Sequence, residues 1–109
     1  MNRLRHQHAT ALLLITHDFA VVSQVADRVA VMYAGRVVEW GSSEQLITHP
    51  RHPYTAMLIQ CIPRLDQASS VQPIPGLPPR LDQPMPGCAF APRCTSADQL
   101  CQRQLPAWQ

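Results

Sequence analysis

Proline placement divides this chain before any other feature is read. All 11 prolines lie at or after Pro50, and seven of them fall between Pro73 and Pro92. Proline fixes φ and removes a backbone donor, so helix interiors and central strands exclude it. Regular structure is therefore concentrated in the first part of the chain, and Pro73 to Pro86 are expected to run extended. Asp66 to Ser70 read as a linker, which places a boundary near residue 66. The expectation is an α/β portion over residues 1–65, followed by a Pro/Cys-rich irregular extension over residues 66–109.

The size allows one small domain at most, or a piece of a larger one: the chain has 109 residues. Charged residues make up 15% of it, against roughly 25% in ordinary soluble domains. A complete small domain has more surface per residue and should be more polar, so a piece with apolar surface meant for absent neighbours is expected. All nine cations are arginine. Without lysine, none of these residues can be a phosphate-loop lysine or form a Schiff base, and no Lys-rich tail exists. The arginines are scattered and no aromatic-lined basic patch accompanies them, which argues against a nucleic-acid binder. Arg3, Arg5 and the apolar run Ala11 to Ile15 resemble a signal peptide only in outline. The run is too short, no cleavage site follows, and Thr16-His17-Asp18 interrupts it. A cytosolic location is expected.

Hydrophobic patterning fills in the elements. Asn2 to His8 read as the last turns of a helix. Leu12-Leu13-Leu14-Ile15 suit a strand covered on both faces, although periodicity does not distinguish this from a buried helix. Asp18 is placed to cap a helix through about Asp27, with Phe19, Val22 and Ala26 on one face. Valine-rich Arg28 to Tyr33 and Val37 to Trp40 flank the tight turn Ala34-Gly35-Arg36, which spells an antiparallel hairpin. Ser42 and Gln45 fit a capping box. His49-Pro50-Arg51-His52-Pro53 then breaks the chain, and Pro53 suits the first turn of a new helix. On that helix Tyr54, Met57, Leu58, Cys61 and Ile62 form an apolar stripe, which makes Cys61 a buried thiol.

The sharpest single feature is Leu-Leu-Ile-Thr-His-Asp, residues 13–18. An apolar strand would deliver His17 at its carboxyl end, where ligands sit in open α/β sheets. Thr16-His17-Asp18, Ala26-Asp27-Arg28-Val29 and the run Val31 to Gly41 together closely resemble the end of an ABC-transporter ATPase domain. That resemblance implies the C-terminal part of a P-loop NTPase fold and makes His17 the H-loop residue, which contacts the ATP γ-phosphate and helps position the attacking water. His52-Pro53-Tyr54-Thr55, Ile74-Pro75-Gly76-Leu77-Pro78-Pro79 and Gly87-Cys88-Ala89-Phe90-Ala91-Pro92-Arg93-Cys94 narrow it to the oligopeptide/dipeptide importer branch. The resemblance implies ATP and Mg2+ as cofactors of the intact domain. It implies a second ATP-binding subunit and membrane permease subunits as partners, at the inner face of the cell membrane. His52 and Tyr54 are expected to pack and cap, as Asp18 does. The Gly-rich loop, signature motif and acidic strand of the family do not occur within these residues, so the polypeptide by itself is not expected to hydrolyse ATP.

Cys88, Cys94 and Cys101 have the spacing C-x5-C-x6-C, which is not a zinc-ribbon pattern. Three thiolates in a proline-stiffened segment could hold an iron–sulfur cluster, or could be plain thiols. Arg93 would favour the thiolate beside it. In the resembled family some members hold a four-iron cluster with this pattern, whose fourth cysteine follows the position of Pro106. Two functional readings result: part of a peptide-importer ATP-binding subunit, or an autonomous Pro/Cys-rich metal-binding or interaction module.

Overall fold

A computed structural model describes Arg3, Gln7 and residues 9–63 and 73–106. The expected linker over Asp66 to Ser70, and with it the boundary near residue 66, lie outside the described residues. So do the helical turns expected over Asn2 to His8, apart from Arg3 and Gln7, which are helical.

The order of elements is α1 (Phe19–Val25), β1 (Arg28–Tyr33), β2 (Arg36–Ser42), α2 (Ser43–Thr48) and α3 (Pro53–Gln60), then a 3-10 turn (Ala91–Arg93) and α4 (Gln99–Arg103). The two strands form one antiparallel sheet. They turn at Ala34 and Gly35, both with positive φ of 50° and 76°, as a two-residue hairpin loop demands. Glycine takes this conformation without strain; Ala34 is held in it by the strands on either side. The register pairs Val31 with Glu39 and Ala30 with Trp40, then shifts so that Met32 pairs with Val37. Val38 is the extra residue of a β-bulge, and such an insertion bends and re-aims the strand that carries it. On the inner face of the hairpin Val31, Tyr33 and Glu39 are buried, while Met32 and Trp40 face outward. The Arg28 guanidinium lies 4.2 Å over the Trp40 ring on that outer face.

Three helix starts follow their sequence signals. Asp18 Oδ1 accepts from the N–H groups of Ala20 and Val21 at 2.9 and 3.3 Å. Ser42 Oγ accepts from the Gln45 N–H at 3.2 Å, and His52 Nδ1 accepts from the Tyr54 N–H at 3.1 Å. Each satisfies a backbone donor that the helix itself leaves unpaired. Helix α1 ends at Val25, two residues before the expected limit.

The apolar core consists of Val31, Tyr33, Leu46, Ile59 and Phe90. Residues 73–90 form no helix or strand, as the prolines require, yet this segment contributes Phe90, which is 1% exposed. Arg93 fastens the proline-rich stretch. Its guanidinium donates to the carbonyls of Pro75 and Ile74 at 3.0 and 3.3 Å and to the Tyr33 hydroxyl at 3.2 Å.

Two expectations are corrected. Leu12 to Ile15 form no strand; Leu13 and Ile15 are 87% and 89% exposed. A strand needs hydrogen-bonded neighbours, and among the described residues the two strands present pair only with each other. On α3 the buried positions are Thr55 and Ile59. Tyr54, Met57, Leu58, Cys61 and Ile62 are half-buried instead. The helix presses against its neighbours along the i, i+4 line of Thr55 and Ile59, so the expected stripe forms one shoulder of the contact. Among the described residues no helix is long and apolar enough to cross a membrane.

Candidate functional site

His17 precedes α1 in an exposed turn. The Asp18 N–H donates to Thr16 Oγ1 at 3.1 Å, and the Asp18 carboxylate caps the helix on the other side of the same residue. The three residues Thr16-His17-Asp18 therefore act as a unit. Two of them fix the backbone through short local hydrogen bonds, and the third presents an imidazole to solvent. An imidazole held this way can donate a hydrogen bond to an anionic oxygen with little further loss of backbone freedom.

A second constellation joins the hairpin to α3. Glu39 is 3% exposed and its two carboxylate oxygens accept from the N–H groups of Arg51 and His52, at 2.8 and 2.9 Å. A buried carboxylate is tolerated only with such bonds. They are charge-assisted, and they lock the entry to α3 onto β2. His52, 7% exposed, is the next link in the chain. Burial pushes its pKa below 6.5 although the Glu39 charge pulls it upward. The neutral ring is what the cap requires, because Nδ1 must accept from Tyr54.

Above this pair stands a cluster of rings. Tyr33 from β1 lies 4.6 Å from Tyr54 of α3 and 5.2 Å from Phe90, the latter edge to face. Tyr54 and His52 lie 5.3 and 6.0 Å from Phe90. Such geometries add to simple area burial. Burial and the neighbouring Tyr33 raise the Tyr54 pKa, partly offset by Arg93. Beside the cluster is a cavity of about 280 Å3, lined by Tyr33, Val38, His52, Cys88, Phe90 and Leu105 among others.

All four cysteines are half-buried. Cys88 and Cys101 are neighbours: the Cys88 N–H donates to the Cys101 carbonyl at 2.7 Å. Cys94 does not complete a ligand set with them, and among the described residues no group of three His, Cys, Asp or Glu side chains is placed to hold a metal ion. The donor set does not fit a cluster that needs three or four thiolates around one centre. Sequence reasoning did not find Glu39 or Arg93 in their observed roles. A lone glutamate inside the apolar strand Val37-Val38-Glu39-Trp40 was the one available signal for the former.

The family model described as "Oligopeptide/dipeptide transporter, C-terminal region" matches residues 38–101. Over 103 residues the chain is 47% identical to the oligopeptide transport ATP-binding protein OppD of Haemophilus influenzae, covering 94% of this chain and 32% of that protein. Against the dipeptide transport ATP-binding protein DppD of Bacillus subtilis it is 50% identical over 97 residues, 88% of this chain and 29% of the relative. With OppD of Escherichia coli it shares 41% over 107 residues, 97% and 32% respectively. The chain thus spans about a third of the length of the curated relatives it matches.

Proposed function

This chain belongs to the oligopeptide/dipeptide transporter C-terminal-region family, and from that membership we propose that it is part of the ATP-binding subunit of an ABC importer that couples ATP hydrolysis to oligopeptide or dipeptide uptake. The observation that carries the reading is the 47% identity over 94% of the chain to an oligopeptide transport ATP-binding protein. Supporting it, the residues ahead of the matched family region present His17 in the exposed capping turn before α1.

In this reading His17 is the H-loop residue. Its imidazole donates to a γ-phosphate oxygen and fixes the position of the attacking water. Phosphoryl transfer is accelerated mainly by positioning and by stabilising charge, so one fixed donor has a large effect. ATP and Mg2+ supply the transferred phosphoryl group and its charge neutralisation. Their main binding groups lie outside these 109 residues, which contain no lysine. The polypeptide by itself should therefore give no vanadate-sensitive ATP turnover. Its partners are a second ATP-binding subunit and the membrane permease subunits, at the cytoplasmic face of the membrane. Arg93 and the ring cluster serve by tying the extension to the hairpin, and Glu39 by tying the start of α3 to it.

An autonomous metal-binding module is the weaker reading. Phe90 of the extension is buried against Tyr33 and Tyr54, so the extension shares its core with the hairpin and α3. Nor do Cys88, Cys94 and Cys101 form a three-ligand group, and a four-iron cluster is no part of the proposal. Uptake tests the importer reading. A strain whose only copy of the gene carries His17→Ala should fail to grow on an oligopeptide as the sole source of a required amino acid, with the protein at its normal level. Normal growth of that strain would contradict the reading.

A further inference from the structure

The cavity beside the ring cluster has no part in the transport reading, yet separate stretches of the chain build it. Arg36, Val37 and Val38 of β2 line it together with His52, Phe90 and Leu105. Val37 and Val38 are consecutive, and side chains in a regular strand alternate between faces. The β-bulge at Val38 breaks that alternation, so both valines border the same space. At about 280 Å3, the space falls just under the roughly 300–1,000 Å3 of ordinary small-molecule pockets. It suits a compact ligand, and most of its lining side chains are apolar.

Two nitrogen donors interrupt the apolar walls. His52 Nδ1 accepts from the Tyr54 N–H, so in the neutral ring the proton sits on Nε2. Among the described residues the sealed, unpartnered side-chain polar atoms are Ser43 Oγ and Thr55 Oγ1. His52 Nε2 is neither partnered nor sealed, and the cavity is the opening that His52 lines. The second donor is Arg36. Its side chain is exposed, and among the described residues its guanidinium has no ion-pair or hydrogen-bond partner. The Tyr33 hydroxyl, also in the lining, is engaged by Arg93 at 3.2 Å. No Asp or Glu borders the cavity. Glu39 turns both carboxylate oxygens to the N–H groups of Arg51 and His52 instead.

We infer that this cavity is a binding site for a small monocarboxylate with a branched apolar body, its carboxylate on the Arg36 guanidinium and the His52 Nε2–H, its hydrocarbon against Val38, Phe90 and Leu105. A guanidinium matches a carboxylate with two parallel donors, and the imidazole N–H adds a third. An α-amino acid fits less well. Its ammonium group would stand beside Arg36 with no lining carboxylate to receive it. An alcohol of the same shape keeps the apolar burial and loses the charged pairing. The inference goes beyond the transport reading and does not depend on it, since it uses only the cavity and its lining.

The test titrates the full 109-residue chain with isocaproate and follows the NMR signals of the Val38 and Leu105 methyls and the His52 Nε2–H. A ligand of so few atoms should bind with a Kd on the order of 1 mM, one per chain, moving all three sets of signals together. Arg36→Gln should weaken binding about fivefold, the upper range for one exposed ion pair, with the urea midpoint unchanged. Isohexanol, the matching alcohol, and leucine should each bind more weakly than isocaproate. Leu105→Asp puts a like charge in the apolar wall at a half-exposed position and should abolish the shifts. No shift of these signals well above the expected Kd would overturn the inference. So would equal binding of isohexanol, tighter binding of leucine, an unchanged Kd in Arg36→Gln, or full binding by Leu105→Asp.

Discussion

Two sets of apolar residues meet opposite fates in this molecule. Leu12 to Ile15 lie open to solvent, whereas Val31, Tyr33, Leu46, Ile59 and Phe90 close into a core. The difference is in the neighbours. The core residues come from a hairpin, two helices and a looping extension, which can cover one another. The run before His17 has strand character but no strand beside it among the described residues. The candidate phosphate contact thus stands beside the exposed run, while the packed region carries no candidate catalytic residue. In the proposed importer subunit, the first region waits for neighbours and the second supplies a preformed platform.

Substitutions can break that contrast. The largest effect is expected at Phe90, where truncation removes the ring that joins the extension to the hairpin and α3. Phe90→Ala should cost about 3–5 kcal/mol in urea unfolding, and a loss below about 1 kcal/mol would show that the extension does not share the core. Next comes Glu39→Ala, which strands the buried N–H of His52 and the part-buried N–H of Arg51. Charge-assisted bonds of this kind are worth about 1.5–3 kcal/mol each; because water can reach the Arg51 N–H once the carboxylate is gone, a total at the low end, about 3 kcal/mol, is expected, and Glu39→Gln should recover part of it. Smallest is the exposed run: Leu13→Ser and Ile15→Ser should stay within about 0.5 kcal/mol of the parent chain. A larger loss there would mean that the run is packed after all.

The pH dependence sharpens the same contrast from the packed side. His52 titrates below 6.5 in the folded chain because it is buried. The unfolded chain then binds its proton more readily, and folding stability falls as the pH drops below about 6.5 toward the folded value. Above 6.5 that contribution is fully present. His52→Asn keeps a capping acceptor and removes the titration. Its urea midpoint should therefore vary less than the parent's between pH 7.5 and 5, roughly the range in which histidine changes charge. An unchanged slope would move the effect to another group.

The hairpin and the helix starts were legible in the sequence because their causes are local. Ala34-Gly35 between valine-rich runs, Asp18, Ser42 and His52-Pro53 each act within a few residues. What escaped was decided at a distance. Glu39 meets Arg51 and His52 across 12 and 13 positions, and Arg93 meets Tyr33 across 60. Periodicity named an apolar stripe on α3, but where the neighbouring elements press on it is set by the hairpin, so Thr55 and Ile59 are buried instead. The run at 12–15 failed as a strand for the same reason: its pairing is not written in its own residues. The spacing of Cys88, Cys94 and Cys101 suggested one site, but among the described residues they form no three-ligand group.

The role proposed for His17 has its most direct test in ATP turnover by the proposed ATP-binding subunit of which this segment would be part. His17→Ala should bind ATP with unchanged affinity and hydrolyse it about 100-fold more slowly, the order of loss that follows removal of a fixed donor to developing charge. Hydrolysis at the parent rate, with ATP bound as before, would contradict the assignment of His17 to the γ-phosphate.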